Sequence, residues 1–224
     1  MVLTMYERLL QLPLLQGMST QDLENLVYKV QLDFNQHISG ELIAGQEECC
    51  NKLIFIISGS LEVQYRDPND DIIVTEYIDA PFVIEPYSMF GMSQKFTRDY
   101  YFLPMGGSSL TIPKSTFLNT FMNFTIIKQN MLNMLCHKAQ QATKRLMLKE
   151  PPTVKEKIQN FILYHCINDK GTKHVKIKMD TLADMIGETR LNVSNTLREF
   201  SNNKLIQQNR NIFTIQDMQA FLRY

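Results

Sequence analysis

The chain contains no run of about 18 consecutive apolar residues, so no segment reads as a membrane span. Its start, MVLTMYERLLQLPLL, lacks the basic region and small-residue cleavage site of a secretory leader, and the expectation is a cytoplasmic protein. Signatures of catalysis are missing as well. There is no glycine-rich phosphate loop, no HExxH, no nucleophile elbow and no spaced set of carboxylates. Gly106-Gly107 is followed by Ser108 and Ser109 but by no lysine, and reads as a turn. These absences argue against an enzyme, and no metal or cofactor is expected.

Cysteine is scarce. Cys49, Cys50, Cys136 and Cys166 have the spacing of neither a zinc site nor a disulfide framework, and adjacent cysteines rarely bridge each other. Reduced, structural thiols are the plain reading. The vicinal Cys49–Cys50 pair could share a soft ion, which leaves metal or redox sensing as a second reading. The histidines His37, His137, His165 and His174 follow no ligand pattern and read as partnered or exposed side chains.

Net charge is also absent, with 23 basic and 23 acidic residues over 224, but the balance is uneven. Residues 1 to 116 carry 7 Lys and Arg against 15 Asp and Glu, residues 117 to 150 carry 5 against 1, and residues 151 to 224 carry 11 against 7. An acidic front and a basic rear suggest that only the rear meets a polyanion. Hydrophobic residues at 44% and charged residues at 21% fit a globular chain with a real core.

The pattern of the chain changes three times. Residues 5 to 30 read as helical, with Ser19 as an N-cap three positions before Asp22. From about 32 to 113 come short β runs. KLIFIISGSLEVQY reads as an apolar run, a Ser-Gly-Ser turn and an alternating strand; RDPNDD is a hairpin turn and DIIVTEYI its return strand. With YYFLP and SSLTIP these make a sandwich, barrel or roll.

Residues 114 to 149 turn helical, as one helix of about 30 residues with two apolar seams. Phe124, Ile127, Met131 and Met134 form one; Leu132, Leu135, Ala139, Ala142 and Leu146 form the other. A helix about 45 Å long outreaches one small β domain, which favours a seam for a second copy. Pro151 and Pro152 then break the pattern, Thr153 can cap the next helix, and a boundary is expected at about 150. The expected division is 1–116, 117–150 and 151–224.

In the rear segment Asp180 can cap a short helix, Gly187 sits at a turn, and Thr189 can cap a second helix over GETRLNVSNTLREF. Val193, Leu197 and Phe200 form one stripe of that helix and leave Arg190, Leu191, Asn192, Ser194, Asn195 and Arg198 on the remainder. Arg pairs with guanine, Asn with adenine, and Ser with either, so this helix is the candidate reader of double-stranded DNA. KLIQQNRNIFTI reads as a wing, with Lys204 and Arg210 available for phosphate.

Over most of its length the chain resembles the Crp/Fnr transcription regulators. SGELIAGQ (39–46), LIFIISGSLEV (53–63) and LADMIGETRLNVSNTLREFSNNKLI (182–206) carry the likeness. The resemblance implies an α+β fold: an N-terminal double-stranded, jelly-roll-like β-roll of cyclic-nucleotide-binding type, a long dimerisation helix and a C-terminal winged helix-turn-helix. It also implies a homodimer on a palindromic operator, and leaves RNA polymerase open as a partner. Arg190 falls where the family's groove-reading Arg sits. Leu191 departs from the pattern, since many members place a Glu there for cytosine.

The effector pocket implied by the resemblance uses a Gly-Glu pair and an Arg followed by Ser or Thr. Glu85 and Arg98 match, but Ile84 replaces the Gly, Asp99 replaces the hydroxyl residue, and Pro86 removes an N–H. An internal pairing of Arg98 with Asp99 or Glu85 is expected, and the effector, if there is one, is not expected to be cyclic AMP. Tyr87, Tyr100, Tyr101 and Phe102 line an aromatic pocket or belong to the core. The iron–sulfur cysteine cluster of oxygen-sensing members is absent. A reading of another class remains: a small-molecule or cyclic-nucleotide module whose rear domain docks a protein.

Overall fold

The computed structural model describes residues 5–30, 32–67, 69, 71–147 and 153–224. The chain divides into two compact units, Met1–Leu61 with Ile78–Met147 and Glu62–Tyr77 with Leu148–Tyr224. The expected α+β class is observed.

In the first unit, the stretch expected as helical from 5 to 30 is two helices, α1 (Met5–Leu10) and α2 (Thr20–Lys29). Pro13 cannot continue a helix, and the intervening turn buries Leu12, Leu14 and Leu15 instead. Ser19 caps α2, its hydroxyl accepting from Asp22 N. Strands β1 (Asp33–His37) and β2 (Leu42–Ala44) pair antiparallel with β6 (Asp99–Pro113), which lies next to β3 (Lys52–Asp67); β5 (Phe82–Ile84) pairs with β3.

Two expected turns are absent. β3 runs unbroken through Ser58-Gly59-Ser60, and β6 joins YYFLP to SSLTIP through Gly106-Gly107. Gly59 (φ +93°) and Gly106 (φ +63°) kink the strands without reversing them. The two kinks meet: a Cβ on Gly59 would run into the Gly106 carbonyl, and one on Gly107 into the Ser58 carbonyl. Close approach, not a turn, explains these glycines.

The expected single long helix is broken as well. It consists of α3 (Lys114–Asn119), a 3-10 turn at Phe121–Asn123 and α4 (Thr125–Met147, 23 residues). The break lets Phe117 and Phe121 both enter the core, with ring centroids 6.0 Å apart. Of the two seams on α4, Ile127 and Met131 are buried, whereas Leu132, Ala139 and Ala142 are exposed; the Leu146 side chain lies outside the described residues.

The second unit holds β4 (Ile72–Asp79) up to Tyr77, α5 (Val154–His165), β7 (Lys173–Lys176), α6 (Met179–Met185), α7 (Arg190–Asn202), β8 (Ile206–Asn209), β9 (Ile212–Ile215) and α8 (Met218–Arg223). Its sheet runs β4-β7-β9-β8, antiparallel throughout, with Glu76 opposite Lys173 and Val74 opposite Val175. Ile72 and Val74 therefore belong to the same core as Val193, Leu197 and Phe200. Thr153 caps α5 by accepting from Glu156 N. Pro151 and Pro152, the expected boundary, lie outside the described residues.

Candidate nucleic-acid interface and effector region

Helices α6 and α7 pack through Leu182, Ala183, Val193 and Leu197, all buried. Between them Gly187 adopts φ +64°, and Glu188 N donates to the Ala183 carbonyl at 2.9 Å, so the chain turns sharply. Thr189 caps α7, its Oγ1 accepting from Asn192 N at 3.2 Å. The cap expected of Asp180 is not formed. Lys178 holds the N-cap position of α6, and Asp180, in the first turn, faces Arg190, with Oδ1 3.4 Å from Nη1. A carboxylate is favoured in a first turn by the helix dipole, and here it also steadies an exposed guanidinium.

At about 100° per residue, the side of α7 opposite its buried stripe carries Leu191, Asn195 and Arg198, with Arg190 and Ser194 on one flank. Apart from the half-buried Ser194, these side chains are exposed. Asn192 is not among them: it lies on the other flank, where its Nδ2 donates to Glu188 Oε2 at 3.2 Å. Glu188 also accepts from Lys157 at 2.7 Å, and these bonds, the lysine's first, hold its carboxyl below the ordinary range. Lys204 (φ +58°) follows the end of α7, and Arg210 sits with Asn211 (φ +58°) in the two-residue loop joining β8 to β9. Both basic side chains are exposed.

The effector residues lie in the first unit. Glu85, at φ +32° and 2% exposed, starts the 3-10 turn Pro86–Met89. Its carboxylate is saturated by protein donors: Ser88 Oγ (2.9 Å), Thr97 N (2.9 Å), Thr97 Oγ1 (2.7 Å) and Tyr100 OH (2.9 Å). Burial, then Glu85, pushes the Tyr100 hydroxyl well up, so it stays a donor. Arg98 Nη1 reaches Thr97 Oγ1 at 3.3 Å, and the Asp99 carboxylate accepts from Gln46 N at 2.8 Å. Tyr100 and Phe102 are core residues. The Tyr87 ring lies under the Lys138 ammonium of α4, 3.6 Å from its centroid.

Cys50 is buried and its thiol is pushed up to about 11, by burial first and Glu85 second, which disfavours a thiolate beside exposed Cys49. Among the described residues no group of three His, Cys, Asp or Glu could hold a metal ion. The histidines are partnered. His137 meets Gln141, His165 the Phe161 carbonyl, and His174 the Thr214 hydroxyl. His37 bonds Glu41 Oε1 and Ser109 Oγ, each at 2.8 Å, in a Glu–His–Ser line. Ser109 is 1% exposed, so the hydroxyl is closed to a substrate, and the line ties β1 to β6.

Three partners went unread in the sequence. Ser88 and Thr97, which saturate Glu85, sit on irregular backbone without periodicity. Asp180 as the brace of Arg190 is a contact between two helices. No helix among the described residues is long and apolar enough to cross a membrane.

Helix, glycine turn, capped helix and two-stranded wing define a winged helix-turn-helix protein. More narrowly, residues 156–224 match the family model of the Crp-like helix-turn-helix domain. No curated protein matches the chain. Among solved structures, the catabolite activator protein of Thermus thermophilus is 14% identical, with 94% of this chain and 96% of that one covered and a TM-score of 0.53. A protein from Eubacterium rectale described as a transcriptional regulator of the Crp/Fnr family is 16% identical, with 95% and 98% covered and a TM-score of 0.53. The resemblance read in the sequence stands: the chain shares the Crp/Fnr fold.

Proposed function

We propose that this chain is a cytoplasmic, homodimeric, sequence-specific regulator of transcription that binds a palindromic operator. The observation that carries the proposal is the outer face of α7. Asn195 and Arg198 there, with Arg190 and Ser194 on the adjoining flank, present donors and acceptors suited to guanine and adenine edges, while Lys204 and Arg210 supply positive charge for phosphates. Asn192, exposed on the opposite flank where it donates to Glu188, completes the candidate contacts of the helix. Two such helices would enter successive major grooves about 34 Å apart.

The uncovered seam of α4, with Leu132 59% exposed beside Ala139 and Ala142, supports the second copy. The functional division we assign is residues 1–116 for effector response, 117–150 for dimerisation and 151–224 for DNA. The effector region favours a ligand other than cyclic AMP, because Glu85 is already occupied by four protein donors and Asp99 would stand as a like charge beside a phosphate. RNA polymerase is the partner that an activator of this kind would touch.

The test is duplex binding across a salt series. Phosphate neutralisation predicts a log–log slope near −0.9 per contact. A flat slope would favour the reading in which the rear domain docks a protein.

A further inference from the structure

Of the four apolar side chains on α7, Val193, Leu197 and Phe200 are buried, and Leu191 is 69% exposed. A single exposed leucine is unremarkable on a protein surface; its position is what matters. Leu191 sits in the first turn, behind the Thr189 cap, on the stripe that Asn195 and Arg198 continue and next to Arg190. Everything else on that stripe can hydrogen-bond to a base edge, and Leu191 cannot.

The chemistry of the groove then restricts what Leu191 can meet. Guanine offers N7 and O6, adenine N7 and an amine, and cytosine an amine; each loses water to an apolar side chain without a bond in return. Thymine offers a C5 methyl, the one apolar group among the four bases in the major groove. Resting on the DNA-binding reading above, we propose that Leu191 is a specificity-determining residue that selects a thymine methyl beside the base pair read by Arg190. The selectivity has two parts, since burial of the methyl favours thymine while unsatisfied polar edges disfavour the other bases.

The test uses the duplex that the full-length protein enriches from a random pool. Each thymine is replaced singly by uracil, which pairs identically but lacks the methyl. The expected result is one thymine per half-site at which uracil weakens binding about fourfold, the equivalent of one buried CH2 group. Leu191→Ala should bind the thymine and uracil duplexes equally, with an unchanged circular dichroism spectrum. Leu191→Glu, put through the same selection, should exchange that thymine for cytosine, whose amine a carboxylate accepts. A wild-type protein indifferent to uracil at every thymine would overturn the assignment and leave DNA binding standing. So would uracil sensitivity that persists in Leu191→Ala. If no duplex is enriched or bound, the regulator reading falls and this inference falls with it.

Discussion

The Lys173 ammonium and the Glu76 carboxylate meet at 2.7 Å with side chains 0% and 2% exposed, on opposed residues of β7 and β4. Glu76 also accepts from Ile167 N at 2.6 Å, and Lys173 donates to Asn168 at 3.2 Å. Residues 62–77 are therefore built into the unit that carries α7, through a bonded charge pair as well as a shared strand pairing and core. Removing one partner leaves the other charge buried and unpaired, so Lys173→Met or Glu76→Leu should each cost about 3–5 kcal/mol. The double variant should recover most of that loss. Chemical denaturation of the full chain as a double-mutant cycle measures it, and additive losses would show the pair to be uncoupled.

Glu85 makes a second, smaller prediction. Tyr100→Phe removes one of the four donors to a buried carboxylate while keeping the ring, and should destabilise the protein by about 1–3 kcal/mol in thermal unfolding. Thr97→Val removes a hydroxyl donor to the same carboxylate and should act in the same direction.

Acid should weaken the recognition unit through Glu188. Its carboxyl is held below the ordinary 4.5, mainly by the hydrogen bond from Lys157. A lowered folded value means stability that is fully present above the unfolded value and lost as pH falls through the folded one. Glu188→Gln should lower stability at neutral pH and flatten the part of the pH–stability curve below about 4.5, so that the two proteins converge in acid. A curve identical to the wild type would remove Glu188 from the account.

The exposed seam of α4 predicts the oligomeric state. Leu132→Glu would place a charge on the proposed contact between two copies and should shift sedimentation from dimer to monomer, with unfolding of the single chain unchanged. A wild-type monomer at micromolar concentration would contradict the seam.

Much of this was legible in the sequence because it is local. The caps at Ser19, Thr153 and Thr189, the turn at Gly187 and the period of Val193, Leu197 and Phe200 are set by neighbours within four residues. Features set by distant partners were not legible. Gly59 and Gly106-Gly107 look like turns until the strands they kink are seen to touch. The break between α3 and α4 follows from where two phenylalanines are buried, which periodicity alone does not fix. Glu76 did leave a signal: it stands at the buried parity of β4, with Ile72, Val74 and Ile78, where a charge demands a partner. In the candidate site, residue types were legible and directions were not: the sequence does not show that Asn192 bonds Glu188 on the flank away from Arg190 and Ser194.

Selection of random duplexes by the purified full-length protein, read by sequencing, tests the central claim most directly. The account predicts enrichment of an inverted repeat with half-sites about one helical turn apart, and Arg190→Ala should lose roughly 1–3 kcal/mol on that site and relax its specificity. No enriched sequence, or equal loss by Arg190→Ala on cognate and random DNA, would contradict the assignment of α7 as the reading helix.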